Sequence, residues 1–575
     1  MAAYCEIDFP LDGERLCGAF TEPETLLTAY NASEVPALWH QVEAAARAGR
    51  WVLGFVAYEA AGAFDSALVT HTASLPLACF AVFDGLASAP RSRGDWLCGV
   101  WKDILPQPAF ESAIAAIRRG IRRGDYYQVN FTTRLRAPFL GDSLALFDAL
   151  RAQQAEGYSA YLDFGRWRVC SASPELFFRR RPDGVVISKP MKGTAPRFAD
   201  AGQDTAARDR LAQSAKDRAE NLMIVDLIRN DLSRVAELGS VTVPELFSIE
   251  AWPTVWQMTS TVACRTRPGT SMAELFGALF PCGSVTGAPK AAAMTAIAEL
   301  EPEPRGTYCG AIGVIRPGGE AIFNVGIRSV VVDSENGHAE CGIGSGIVID
   351  STMSGEYAEW QAKEVFLRRA MPDYALLETL RLHGGRYWLL RRHLTRLSRS
   401  AATLGFRFNR EHIDAALENT AHAHPDGQWR LRMLLAADGD VRIEVFPLHA
   451  PPPLAEVTLA TTPVASANPW LLHKTDRRGL YEGLASTATD IYDTLLYNER
   501  GEATEFTRGN LVVELDGRRL TPPIACGLLP GVLREALLAS RRVEEGIVAR
   551  EDLARATRLW FVNSVRGAVL VQLRR

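Results

Sequence analysis

Two lysines and a set of glutamates carry the chemistry this sequence offers. Lys192 sits in Lys189-Pro190-Met191-Lys192-Gly193-Thr194-Ala195-Pro196-Arg197. An amine is a nucleophile only when neutral, and burial or a nearby cation, such as Lys189 or a metal ion, lowers its pKa to that end. Glu220 precedes a helical repeat of apolar residues, Met223, Ile224, Leu227, Ile228 and Leu232, and lies one turn before Ile224, so it points along the same inward face. Glu356 and Glu359 stand three residues apart, which puts both on one side of a helix. Two such helices facing each other would offer carboxylate oxygens to Mg2+, which takes a few carboxylates and leaves room for substrate oxygens and water. Taken alone, an acidic pair at this spacing is most often a solvated face. The second amine is Lys474, in His473-Lys474-Thr475-Asp476-Arg477; alone it reads as a surface lysine.

These residues need elements to position them. Glycines cluster in Pro281-Cys282-Gly283-Ser284-Val285-Thr286-Gly287-Ala288-Pro289-Lys290, Tyr308-Cys309-Gly310-Ala311-Ile312-Gly313, Phe323-Asn324-Val325-Gly326-Ile327-Arg328 and Gly342-Ile343-Gly344-Ser345-Gly346-Ile347-Val348. Such backbone can approach a small ligand, and its free N–H groups can bind anions, although for any single glycine a tight turn is the commoner explanation. Strand-like runs such as Val185-Val186-Ile187 alternate with long helical patterns, which specifies mixed α and β structure and no more. The pattern restarts after Pro372, dividing the 575 residues into units of about 370 and about 200. We read 1–370 as one domain and 373–575 as another. The proline run His449-Ala450-Pro451-Pro452-Pro453 reads as a short, stiff linker between two lobes of the second.

Taken in order, the segments of the first half resemble the chorismate-utilising enzymes, the family of anthranilate, aminodeoxychorismate, isochorismate and salicylate synthases, from about residue 110 to about residue 367. Gly54-Phe55-Val56-Ala57-Tyr58-Glu59-Ala60-Ala61 and Gly124-Asp125-Tyr126-Tyr127-Gln128-Val129-Asn130 extend the similarity more loosely upstream. The resemblance implies Mg2+ ligands at Glu220 and Glu359, with Glu356 assisting. It puts Tyr308, Arg328, Thr286 and the backbone around Gly344 at the substrate, where the Arg328 fork suits a carboxylate. It makes Glu175, in Ser173-Pro174-Glu175, the general acid for a departing hydroxyl. Anthranilate synthases carry Pro-Ile-Ala-Gly-Thr at the position of Pro190 to Thr194, whereas aminodeoxychorismate synthases have lysine in place of the alanine, as Lys192 is here. Amination at the hydroxyl-bearing ring carbon keeps its geometry only if an enzyme group first adds elsewhere and is then displaced by ammonia, and Lys192 is the candidate for that group. One departure is Gln257, which stands where many relatives have histidine and cannot shuttle a proton near neutral pH.

The second half resembles the fold-type IV pyridoxal-phosphate enzymes over nearly all of residues 373–575. The similarity rests on Leu377-Glu378-Thr379-Leu380-Arg381, Arg392-His393-Leu394-Thr395-Arg396-Leu397, the Lys474 segment, Glu505-Phe506-Thr507-Arg508-Gly509-Asn510, Gly527-Leu528-Leu529-Pro530-Gly531-Val532 and Asn563-Ser564-Val565-Arg566-Gly567. It implies that Lys474 links to the aldehyde of pyridoxal 5'-phosphate and later moves protons, and that Glu505 keeps the pyridine nitrogen protonated. Arg396, the backbone at Gly531 and Val532, and Ser564 would bind the phosphate. Phe506 and Arg508-Gly509 depart from the commoner Glu-Gly-Thr or Glu-Gly-Ser pattern, so the wall beside the cofactor is expected to differ from that of transaminases.

Together the resemblances imply an α+β chain: packed antiparallel-rich sheets wrapped by helices, with the active site between them, followed by a two-lobed domain with its cofactor between lobes. The implied function is a bifunctional enzyme of 4-aminobenzoate formation for folate: amination of chorismate, then elimination of pyruvate. The alternatives are an anthranilate synthase-like unit joined to a D-amino-acid or branched-chain transaminase, and a scaffold that binds ligands without turnover. No Gly-x-Cys-x-Gly nucleophile elbow with downstream histidine and glutamate is present, so ammonia is expected from a separate glutamine amidotransferase subunit. The resemblance also allows a homodimer through the second domain.

Composition sets bounds. With 63 basic against 67 acidic side chains and a formal charge of −4, there is no basic field of the kind nucleic acid needs. Ten cysteines are scattered without Cys-x-x-Cys pairs, which reads as reduced, mostly buried thiols. The start Met1-Ala2-Ala3-Tyr4-Cys5-Glu6-Ile7-Asp8 lacks an export pattern, and no apolar run reaches spanning length; the expectation is a cytoplasmic chain with no membrane partner.

Overall fold

The computed structural model describes residues 3–87, 91–154, 157–252 and 255–574. The chain forms two compact units. The first comprises Met1–Arg93, Lys102–Arg136 and Ser143–Met371; the second comprises Pro372–Arg575 together with Gly94–Trp101 and Ala137–Asp142. The two short segments pair as strands, Trp96 to Cys98 against Phe139 to Gly141, and Leu97 joins the apolar core of the second unit.

Two antiparallel sheets make the first unit. One runs through the strands Gln128–Gly141, His338–Ile347, Ser329–Asp333, Trp167–Ser173, Tyr158–Phe164, Tyr4–Leu11 and Glu14–Thr21. The other runs through Met191–Pro196, Val255–Arg265, Val185–Lys189, Leu176–Arg180, Ala321–Val325, Ala311–Ile315, Trp51–Val56, Ala78–Phe83 and Thr25–Ala29. Their facing sides interdigitate through Ile7, Phe9, Leu162 and Val169 of the first and Phe55, Ala81, Ile312 and Ile322 of the second. On the outer face of the second sheet lie the helices Val35–Arg47, Ala215–Ser233 and Met272–Leu279, which bury Trp39, Ile224, Ile228 and Phe276. The helical repeat read from the sequence is therefore a core stripe, with Ile224, Val225, Ile228 and Leu232 buried.

In the second unit, a four-stranded antiparallel sheet contains Leu376–His383, Gln428–Leu435 and Val441–Pro447, and the helix Leu390–Leu404 packs on it through Leu394, Leu397 and Ala401. An eight-stranded mixed sheet follows, beginning at Ala455–Leu459. The proline run lies between the two sheets in the chain, as its stiffness suggested. All ten cysteines are free thiols, and all but Cys17 are buried. Among the described residues no helix is long and apolar enough to cross a membrane.

Candidate active sites

Lys192 projects from an irregularity in its strand. The pairing of Met191–Pro196 with Val255–Arg265 shifts register between Met191 and Thr194, and Gly193 adopts φ 93, a left-handed conformation that glycine takes without strain. Gln257 holds this bulge: its Nε2 donates to the Gly193 carbonyl at 2.7 Å, and its Oε1 accepts from Thr194 Oγ1 at 2.9 Å. Gln257 thus serves the backbone beside Lys192.

The amine of Lys192 lies 3.3 Å from Glu220 Oε2. Burial works to lower its pKa, but Glu220, Glu359 and Glu356 outweigh that and hold it above the ordinary lysine value. The glutamates here oppose the neutral amine that nucleophilic attack requires. Lys189 is paired with Glu250 and takes no part. Ala215–Ser233 packs on the strands carrying Lys192 and Gln257, and Met353–Ala370 packs on His338–Ile347. The glutamates of the two helices, Glu220 on one and Glu356 and Glu359 on the other, all act on the Lys192 amine. Glu356 accepts from Ser345 Oγ, and Glu359 pairs with Lys363 at 2.8 Å. Among the described residues no three acidic, His or Cys side chains are close enough to hold a metal as they stand. The donor set nonetheless suits a hard divalent cation, since three carboxylates here share the charge of lysines that such an ion could replace.

Glu175 sits in the turn between Trp167–Ser173 and Leu176–Arg180, 3 % exposed. Burial pushes its pKa up to about 7, against the pull of Ser284 Oγ, which donates to Oε1 at 2.7 Å, and of Lys192 and Lys363. Lys363 in turn donates to the Gly344 carbonyl at 2.8 Å. A Cβ on Gly346 would come within 3.1 Å of Lys192 Nζ and 2.4 Å of Gln128 Nε2, so any side chain there would displace the ends of both. Gln128 is buried, and neither end of its amide has a protein partner, although buried amides are normally hydrogen-bonded. The sequence reading passed over it and over Ser284, although both lie inside segments it had singled out.

The remaining expected residues divide. Arg328 has a left-handed φ of 49, donates to the Gln154 side chain, and has no acidic partner among the described residues; burial drops its pKa to about 10. A buried guanidinium without a carboxylate is suited to an anionic ligand. Tyr308 is buried, with Arg134 5.2 Å above its ring, and a Cβ on Gly342 would strike that ring. Thr286 is fully buried. It donates at 3.2 Å to the Cys282 carbonyl within its own turn. That turn is braced by Arg305, which donates to the carbonyls of Val285 and Asn130 while paired with Glu301.

In the second unit one cavity is lined by Lys474, Glu505, Arg396, Gly531, Val532 and Ser564, so all six expected residues meet there. Lys474 is positioned by backbone: Leu377 N donates to its carbonyl at 2.8 Å, and Ala375 N to Asp476 Oδ1 at 2.9 Å. Burial, with Arg396 and Arg478, lowers the Lys474 pKa to about 7. Glu505 is raised to about 7 by burial and is held by Tyr481 Oη at 2.8 Å, Leu529 N at 3.1 Å and Asn510 Nδ2 at 3.1 Å. Arg396 is gripped by Glu378 through Nε at 2.9 Å and Nη2 at 2.6 Å, and donates to the Pro530 carbonyl at 3.2 Å. A Cβ on Gly531 would lie 1.7 Å from Asn510 Oδ1, so only glycine fits at the start of the Val532–Ala539 helix. Arg508 pairs with Asp493 at 3.0 Å on the cavity wall.

A family model described as chorismate binding enzyme matches residues 88–369. Aminodeoxychorismate synthase component 1 of Klebsiella aerogenes is 39 % identical over 308 residues, which cover 52 % of this chain and 68 % of that protein. The chain belongs to the chorismate-binding enzyme family. The Escherichia coli (strain K12) protein of the same name is 39 % identical over 259 residues, 45 % of this chain and 56 % of that one. Anthranilate synthase component I from Streptococcus pneumoniae TIGR4 superposes with a TM-score of 0.51 at 25 % identity, covering 63 % of this chain and 89 % of that one. Residues 375–573 match the class IV amino-transferase model, so a chorismate-binding unit and a class IV unit share this chain.

Proposed function

We propose that the chain makes 4-aminobenzoate from chorismate in two steps, one in each unit. The observation that carries the reading is the placement of the Lys192 amine among Glu220, Glu356 and Glu359 beside Glu175, a carboxyl that keeps its proton near neutral pH. The names of the Klebsiella and Escherichia relatives support it.

In the first unit Glu220, Glu359 and Glu356 would hold Mg2+, which supplies charge for a bound carboxylate. Arg328 and Tyr308 orient the substrate. Once deprotonated, Lys192 adds to the ring as Glu175 gives its proton to the departing hydroxyl, which leaves as water; ammonia then displaces the amine and becomes the 4-amino group. A separate glutamine amidotransferase subunit supplies the ammonia.

In the second unit the residues that would hold pyridoxal phosphate are Lys474, for its aldehyde, Glu505, for its pyridine nitrogen, and Arg396, Gly531, Val532 and Ser564, for its phosphate. The cofactor supplies an electron sink. The Lys474 amine would remove the proton from the amine-bearing ring carbon, the neighbouring ring carbon–oxygen bond would break, and the same amine would return a proton to the enolpyruvyl methylene carbon, releasing pyruvate. Aromatisation makes the step favourable. The test is the purified chain with chorismate, Mg2+ and ammonium, with and without pyridoxal phosphate. The expected products are 4-aminobenzoate and pyruvate with the cofactor and aminodeoxychorismate without it; formation of the 2-amino isomer overturns the reading.

A further inference from the structure

The segment Gly94–Trp101 belongs to the second unit, although the sequence on either side of it, Met1–Arg93 and Lys102–Arg136, belongs to the first. It is docked closely. Leu97 is fully buried in the core formed by Leu376, Leu394, Leu397 and Leu404. Val100 N donates at 2.8 Å to the Leu404 carbonyl, at the end of the helix Leu390–Leu404. A Cβ on Gly99 would lie 2.4 Å from that same carbonyl oxygen, so the backbone comes this near only because residue 99 is glycine.

Two further bonds run from this segment to residues that precede or adjoin Lys474. Asp95 Oδ2 accepts from Asn468 Nδ2 at 2.8 Å. That bond decides which way the Asn468 amide faces, because Nδ2 can only donate and Oδ1 can only accept. Oδ1 is thereby turned to Trp470 N, which donates to it at 2.9 Å and starts the helical turn Pro469–Leu471. Asn468 is 5 % exposed, so water cannot readily take the place of Asp95. The Cys98 carbonyl accepts from Tyr374 Oη at 2.9 Å, and the Tyr374 ring meets that of Trp470 edge-on with centroids 5.1 Å apart. Each contact leads to the cavity. The turn carries Trp470, a wall residue, and runs through Leu472 into His473 and Lys474. Tyr374 precedes the strand Leu376–His383, whose Leu377 N donates to the Lys474 carbonyl. The helix that Val100 holds carries Arg396, and its Ser400 Oγ lies 3.0 Å from His473 Nδ1.

Resting on the two-step reading above, we propose that Gly94–Trp101 is a positioning element for the second reaction, with Asp95 and Tyr374 as its positioning residues. Neither side chain lines the cavity. Asp95 acts through Asn468, and Tyr374 through Trp470, on the wall that leads to Lys474. The elimination requires the Lys474 amine to reach two different carbons in turn, each within hydrogen-bond distance. A wall that has lost its brace therefore costs rate more than binding, because small misplacements of a reacting group are expensive. The consequence is that the second reaction depends on residues from the first half of the sequence, and the stretch after Pro372 does not hold all of its own machinery.

The test uses the full chain loaded with pyridoxal phosphate and supplied with aminodeoxychorismate, so that the second reaction is read alone. Asp95→Ala, Tyr374→Phe and the variant carrying both changes are compared with the unaltered protein and with Asp95→Asn, which keeps an acceptor for Asn468. The kcat for pyruvate release is expected to fall about threefold in each single variant and about tenfold or more in the double one, with KM changed by less than about twofold. Asp95→Asn should restore the rate. In the cofactor-free chain, amide hydrogen exchange over Leu471 to Thr475 should quicken in the double variant, while exchange in the first unit and amination of chorismate stay as they were. Unchanged kcat in the double variant overturns the proposal, as does equal loss in Asp95→Asn and Asp95→Ala. A parallel fall in amination also overturns it, since that marks a general folding defect. Absence of pyruvate from the unaltered protein refutes the two-step reading instead, and the exchange measurement then still decides whether this segment holds the Lys474 stretch.

Discussion

Gln257 Nε2 donates to the Gly193 carbonyl at 2.7 Å, and through this bond a side chain that cannot titrate holds the bulge beside Lys192. Gln257→Ala removes that donor and the acceptor for Thr194. The expected result is a loss of about tenfold or more in kcat for amination, because small misplacements of a reacting group are costly, with KM for chorismate changed less. The stability cost is about 2 kcal/mol, for the two hydrogen bonds lost, read from the urea midpoint. An unchanged kcat would show that the bulge needs no such support.

Lys192→Ala is expected to abolish 4-amination while leaving chorismate and Mg2+ binding nearly intact, since Arg328, Tyr308 and the glutamates remain. Calorimetric titration and product analysis separate the two effects. Undiminished turnover at saturating ammonium would remove the covalent role. Glu220→Gln and Glu359→Gln should each raise the Mg2+ concentration needed for amination without altering lyase turnover; equal loss of both activities would indicate misfolding instead.

Glu175 sets a pH limb. Its pKa is raised by burial to about 7, so the proton needed for a general acid is present below that value and lost as pH rises through it. The kcat for amination should therefore fall on the alkaline side of about pH 7. The sign for stability is the same: a buried carboxyl raised above its unfolded value stabilises the fold at low pH, and that contribution disappears as pH rises through about 7. Glu175→Gln keeps the shape but has no proton to give. It should cost roughly 100-fold or more and erase the limb in the pH–rate profile.

Much of this was legible in the sequence because the informative residues carry local signatures. The helical repeat after Glu220 is a core stripe, and the segments around Lys474, Glu505 and Gly531 converge on one cavity. What the sequence could not supply was the balance of opposed effects at a point. Burial and carboxylates push Lys192 in opposite directions, and the distances that decide between them are set by the register shift at Gly193. Nor does local pattern reveal that Gly94–Trp101 and Ala137–Asp142 belong with the second unit, because strand pairing across so many residues leaves no periodic trace. Glu378 escaped notice for a related reason: its role is to grip Arg396, and that partnership exists only once strand and helix are packed.

Lys474 offers a test that separates the units. Burial and the charges of Arg396 and Arg478 lower its pKa to about 7, so about half of the amines are neutral at that pH, and the neutral fraction grows as pH rises. Only the neutral amine can attack the cofactor aldehyde. Capture of pyridoxal phosphate by cofactor-free protein, followed by its visible absorption, should therefore accelerate with pH to a plateau above about pH 7, and borohydride should fix the label on this lysine. A midpoint near the ordinary lysine value would contradict the assignment. Lys474→Ala should lose the fixed label and, given chorismate, Mg2+ and ammonium, accumulate aminodeoxychorismate with little 4-aminobenzoate or pyruvate. Amination should persist, because the groups proposed for it all belong to the first unit. Normal 4-aminobenzoate output from this variant, with no other lyase present, would refute the role given to the second unit.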